Sequence, residues 1–137
     1  MSLVVPNDSE VTMLRRMLNV NQTNTVLLRL YDNDLTPDPT TGLANITETT
    51  HTGYTAATLV NNAWVVATDA GGSATASYAE QTFTFSGAAT GVDVFGYYVT
   101  DSAGVLLWVE RFSSSPYAIP SAGGQIAITA TISLENI

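Results

Sequence analysis

The chain has 137 residues and a mass of 14.5 kDa, the size of one domain able to build a core without staples. Apolar residues make up 45%, which argues against disorder, and the absence of cysteine excludes disulfides and thiolate metal sites. Twelve acids face four arginines (Arg15, Arg16, Arg29 and Arg111) with no lysine, for a net charge of −8, so there is no cationic footprint for nucleic acid or an anionic membrane.

The first segment, MSLVVPNDSE, has no basic region and no long apolar stretch, so it predicts no secretory signal. No apolar run approaches the roughly 18–20 residues of a membrane-spanning helix. Asn7 and Glu10 have capping-box spacing, with Asp8 and Ser9 as rival N-caps. Val11, Leu14 and Leu18 then fall at i, i+3 and i+7, which predicts a short amphipathic helix over residues 9–18. Arg15 and Arg16 suit the negative end of its dipole. Such a short helix must pack on something to persist.

From Thr25 the signals are those of strands. Thr25–Tyr31 places Leu28 and Leu30 on one face and Arg29 and Tyr31 on the other. Asp32–Gly42 holds two prolines and several turn formers and predicts no regular structure. Thr47–Leu59 predicts one or two irregular strands, and Trp64–Thr68 another. Ser77–Phe85 alternates, with Phe83 and Phe85 on one face and Thr82 and Thr84 on the other. Val92–Thr100 and Val105–Phe112 predict a hairpin around Asp101–Gly104. Both strands are apolar on both faces, so both should be central in their sheet and covered on both faces. Gln125–Leu134 alternates throughout, with Ile126, Ile128, Ala130, Ile132 and Leu134 facing inward. Seven or eight such strands predict an all-β fold: an antiparallel β-sandwich, jelly-roll-like, with a short N-terminal helix. Residues 1–20 form an arm and helix, and residues 21–137 a single β-sandwich domain.

Chemistry is sparse. His51 is the sole histidine, in a threonine-rich stretch without a nucleophile elbow, and reads as an exposed or hydrogen-bonded strand residue. Asp32, Asn33, Asp34 and Asp38 resemble a hard-cation loop, but the glycine and terminal glutamate of an EF-hand are missing. Glu80 and Glu110 are the carboxylates to weigh as an acid/base pair. Their default is the solvent face of a strand, and Glu110, next to Arg111, invites a cross-strand ion pair as the competing use. Tyr97, Tyr98, Trp108, Phe112 and Tyr117 suit either a core or a sugar platform. No cofactor and no catalytic residue is predicted. A lysine-free, long and regular last strand would be an aggregation risk if bare, so its edge should be covered by this chain or by neighbouring subunits.

The segments MLRRMLNV, LRLYDNDLTPDPTTGL, TGYTAATL, SYAEQTFTF, VFGYYVTDSAGVLLWVERF and PYAI followed by GGQIAITATISL resemble, in that order, a group of small tailed-phage virion proteins. These are the head decoration, or cement, proteins of cyanophages and related podoviruses and myoviruses. The resemblance implies a non-enzymatic jelly-roll-like domain sitting as a homotrimer on the outer capsid surface. It would be synthesised in the host cytoplasm, with the major capsid protein as partner. The residues expected to touch the capsid are Leu3, Val4 and Val5 of the arm and Leu14, Arg15, Arg16 and Leu18 of the helix. The competing role for the helix is to cap the sandwich. Deleting residues 1–8 is expected to abolish capsid binding and leave the domain folded. Trimer contacts are expected around Asp32–Gly42 and the terminal strands. The alternative is a tail or baseplate accessory, or a receptor- or glycan-binding β-domain. A glycan-binding head predicts exposed aromatics in a groove, and a cement protein predicts them buried.

Overall fold

The computed structural model describes residues 3–6, 9, 25–60, 63–68, 74–87 and 92–134. The predicted helix over 9–18 lies outside these residues apart from Ser9, and Leu14, Arg15, Arg16 and Leu18 lie outside them entirely. The described chain is all-β, with antiparallel pairing throughout.

Its strands are β1 (Thr25–Tyr31), β2 (Ala57–Val60), β3 (Val65–Thr68), β4 (Ala74–Ser77), β5 (Gln81–Ser86) and β6 (Asp93–Val94). They continue with β7 (Gly96–Asp101), β8 (Leu106–Arg111), β9 (Tyr117–Ala118), β10 (Gly123–Ile128) and β11 (Thr131–Leu134). A four-stranded sheet runs β2-β1-β7-β8, a three-stranded sheet runs β11-β4-β3, and β10-β5 and β6-β9 form two-stranded sheets.

The β7–β8 hairpin forms as predicted, but of its two strands only β7 is central: among the described residues β8 is the last strand of its sheet, with the isolated Val4–Val109 bridge beyond it. The Asp101 carboxylate accepts the backbone N–H groups of Ala103 (2.9 Å) and Val105 (2.8 Å), and Gly104 takes φ +85°. A left-handed turn residue of this kind favours glycine because it has no Cβ to clash. Val99 pairs with Trp108 but Thr100 with Leu106, so Leu107 is an extra residue on β8. That bulge interrupts the alternation. Leu107 and Trp108 therefore both join the main core, while Leu106 and Val109 belong to a second apolar cluster.

Both faces of this sheet are covered, as the double apolar pattern requires. On one face Leu28, Leu30, Tyr97, Val99 and Trp108 meet Phe83, Phe85, Ile126 and Ile128 from β5 and β10 in a single core. On the other, Tyr31, Tyr98, Leu106 and Val109 lie beneath Val4, Leu35, Ile46 and Phe95. The Asp32–Gly42 segment is irregular, as predicted, and is fastened across that second face. Arg111 binds the Asp34 carboxylate (2.6 Å) and the Leu35 carbonyl oxygen (2.9 Å).

The strand count is a correction: eleven among the described residues, where seven or eight are predicted. Three predicted strands are each divided. Ser77–Phe85 belongs to β4 and β5, Val92–Thr100 to β6 and β7, and Gln125–Leu134 to β10 and β11. Gln81 pairs with Ile128, and Ser77 with Thr131. Three residues therefore separate β4 from β5, but only two separate β10 from β11. Tyr78 N–H still donates to the Ala130 carbonyl oxygen (2.9 Å) across the break. One extra residue on one side of a ladder bends it, and here it splits the ladder into two sheets. Inward parity survives on the unbulged side, where Ile126, Ile128 and Ala130 are all buried.

Candidate functional site

Among the described residues the β10 strand has one sheet neighbour, β5, and its other edge faces an open cleft of about 410 Å³. The opposite wall is the end of β8 and the turn that follows, with Glu110, Phe112, Ser113 and Ser114, and Tyr117 contributes from β9. Gln125 to Ile128 form the β10 wall. A Cβ on Gly124 would come within 2.9 Å of Pro120 Cδ and 3.3 Å of the Tyr117 hydroxyl. The bare glycine therefore lets the Tyr117–Pro120 segment lie against β10.

Glu110 owes its place to strand alternation, which points it to the core side of β8 and Arg111 to the opposite face. The Tyr97 hydroxyl, directly across the β7–β8 pair, donates to Glu110 Oε2 (2.8 Å). Burial, then the neighbouring Glu110 carboxylate, hold the Tyr97 phenol above its ordinary range, so it remains a donor. The expected cross-strand ion pair is not made by Glu110 with any described residue, which corrects that expectation. Arg111 binds Asp34 and donates to Ser115 Oγ (2.8 Å), and it lies 5.2 Å from the centre of the Phe95 ring. Glu110 has no ion-pair partner among the described residues.

Glu80 is exposed, while Glu110 lines the cleft, so they do not share a catalytic setting. His51 is half-buried in a turn rather than in a strand. Its ring centre is 6.1 Å from that of Phe85, and its buried Nε2 has no hydrogen-bond partner among the described residues. The acidic loop is occupied with its own structure. Asn33 accepts from Thr47 N–H (2.9 Å) and donates to the Asn45 carbonyl oxygen (2.9 Å). Asp38 accepts from the Thr40 hydroxyl (2.7 Å) and N–H (2.8 Å), which hold its carboxyl below the usual range. Burial pushes the Asp32 carboxyl upward. No group of three or more His, Cys, Asp or Glu side chains gathers among the described residues to hold a metal.

The five aromatic residues divide. Tyr97, Tyr98 and Trp108 are buried, whereas Phe112 and Tyr117 are half-buried and line the cleft. Leu3, Val4 and Val5, the arm residues expected to touch the capsid, are half-buried and docked on this chain itself. Val4 exchanges two backbone hydrogen bonds with Val109, both 3.0 Å, and so extends the four-stranded sheet beyond β8. Leu3 and Val5 pack on the main core and Val4 on the second cluster. Buried Ser9 donates to the Leu106 carbonyl oxygen (2.7 Å) further along the same edge.

The sequence reading missed one surface. In β3 every residue is exposed, with Val65 at 65% and Val66 at 71%, and among the described residues the strand is an edge of its sheet. The available signal was Val65-Val66-Ala67, which offers no polar alternate for a solvent face.

In comparisons with protein-family models, curated proteins and solved structures, nothing matches this chain.

Proposed function

We propose that the chain is a non-enzymatic virion structural protein, a head decoration protein that bridges major capsid protein subunits from the outer capsid surface. The observation carrying this reading is β3, an uncharged edge strand with two prominently exposed valines. Edges open to solvent are usually guarded by lysine, proline or a bulge, and Val65–Thr68 carries no such guard residue. A second protein surface is the natural cover, and we assign β3 to contact between copies in a homotrimer. The family resemblance of the sequence supplies the capsid as the lattice on which that trimer sits.

The finer architecture is read as a jelly-roll-like sandwich. Side chains of the four-stranded sheet share one core with those of β5 and β10, as two facing layers would. The acidic charge suits a protein kept away from packaged nucleic acid and from anionic membranes. The proposed action is multivalent. Three modest contacts made by one trimer raise effective affinity by about 10²–10⁴ over a single contact, which opposes separation of the capsid subunits beneath.

The test mixes purified protein with undecorated heads and measures occupancy and the temperature at which heads rupture. Wild type is expected to bind saturably and raise that temperature. Val66→Lys is expected to fold normally but to shift the trimer toward monomer and lower occupancy. Absence of binding, localisation to tails, or a Val66→Lys variant with unchanged oligomeric state would overturn the reading.

A further inference from the structure

The open cleft between β10 and the end of β8 carries a second inference, independent of how the chain assembles. Its polar groups are selective in kind. Glu110 is a carboxylate fixed at one oxygen by Tyr97 and without an ion pair among the described residues. An ionised carboxylate has about four acceptor sites on its two oxygens, so capacity remains for donors from a ligand. Gln125 is exposed on the facing strand; its amide nitrogen donates to Thr84 Oγ1 (3.4 Å), which leaves a second N–H and the carbonyl oxygen for a ligand. Beside these polar groups lie the two half-buried rings, Phe112 and Tyr117.

The same lining excludes several ligand classes. Among the described residues no arginine, lysine or histidine lines the cleft, and Arg111 is drawn to the other face of the sheet by Asp34. Phosphates, carboxylates and sulfated groups would therefore meet only Glu110 and the field of an acidic protein. A wholly apolar ligand would strip water from the Glu110 carboxylate without replacing its hydrogen bonds. A ligand with a C–H face for aromatic rings and several neutral hydroxyl donors satisfies both halves of the cleft. Its volume lies within the roughly 300–1,000 Å³ of small-ligand sites.

We propose that this cleft binds neutral pyranose sugars, with Phe112 and Tyr117 against the sugar's C–H face and Glu110 and Gln125 on its hydroxyls. The sugar can be a free oligosaccharide or a unit of a surface polysaccharide, since the chemistry is shared. Two arms separate these sources: saturation-transfer NMR with free glucose, galactose, mannose and N-acetylglucosamine oligosaccharides, and retention on immobilised dextran, galactan and mannan. Glucuronic and sialic acid oligosaccharides serve as anionic controls.

Binding of at least one neutral sugar at millimolar concentration or below is expected, with none for the acidic controls. Glu110→Gln keeps the shape but weakens the acceptor, and Gln125→Ala removes an exposed amide. Each is expected to weaken binding about tenfold, as loss of a strong hydrogen bond does. Gln125→Ala lies outside the fold's core and is expected to leave head occupancy unchanged, so this proposal and the decoration reading fail separately. Absence of any neutral-sugar binding, equal binding of acidic sugars, or indifference to both substitutions would overturn it.

Discussion

Gly96 and Gly104 lie in the same hairpin and are needed for different reasons. Gly96 sits between Tyr31 and Arg111 across the sheet, and a Cβ there would collide with the Glu110 carbonyl oxygen and the Tyr31 ring. Tyr31 is fully buried and its hydroxyl donates to the Leu35 carbonyl oxygen (3.4 Å), so the ring has no free direction of retreat. Gly104 has open space around it, and only its positive φ resists a side chain. Gly96→Ala is therefore expected to cost about 3 kcal/mol, the upper range for overpacking. Gly104→Ala is expected to cost about 1–2 kcal/mol, from left-handed backbone strain alone. Urea denaturation of the two variants checks the order. Equal losses would refute the assignment of Gly96 to packing.

The docked arm changes the consequence of removing it. Val4 closes the outer edge of β8, and Leu3 and Val5 contribute to the main core. Deleting residues 1–8 should remove two sheet hydrogen bonds and three half-buried apolar side chains, lowering stability by about 2–4 kcal/mol. It also bares the backbone of Val109 on the outer edge of β8. Thermal unfolding and light scattering are the measurements, with a lower Tm and concentration-dependent association expected. A truncated domain as stable and monodisperse as the full chain would show that the arm is a dispensable tail. For this reason a loss of capsid binding on deletion would not by itself assign Leu3, Val4 and Val5 to a capsid contact, and Val66→Lys is the cleaner probe.

Across the whole molecule, charge is scarce and the described arginines are committed. Arg29 binds both carboxylate oxygens of Glu48 at 3.0 Å, while Arg111 binds Asp34. Tyr54 completes the first group by donating to Glu48 Oε1 (2.8 Å) and accepting the Leu30 N–H (3.1 Å). Alkaline pH tests this interior. Burial, the largest cause in each case, raises Tyr31, Tyr54, Tyr97 and Tyr98 above the ordinary phenol value of 10.0, with Tyr31 pushed up to about 12. The folded state therefore holds these protons more tightly than the unfolded chain does. Their contribution is intact below pH 10.0 and is lost as pH rises through the folded values. Tm is expected to be insensitive to these groups at neutral pH and to fall steeply above pH 10.0, with tyrosinate absorbance appearing as the protein unfolds. Full tyrosine ionisation without unfolding would contradict the burial of these rings.

Local pattern determined much of this protein. The bounds of β1, the Asp101–Gly104 turn, the two covered faces of β7 and β8 and the inward set Ile126, Ile128 and Ala130 follow from alternation and turn chemistry, which act over a few residues. Glu110, Phe112 and Tyr117 were visible as residue types, yet nothing in their spacing brought them into one cleft with Gln125. Tertiary structure decided that, because cross-strand pairing between distant segments sets which walls face each other. It also decided where the long strands bend. The bend between β10 and β11 leaves their side-chain parity unchanged and arises from one extra residue on the opposite side of the ladder, so the Gln125–Leu134 sequence carries no mark of it. The docking of Leu3–Val5 and the exposure of β3 are decided in the same way. An apolar residue seeks cover by chemistry, but whether the cover is its own chain depends on which edges the completed sheets leave open.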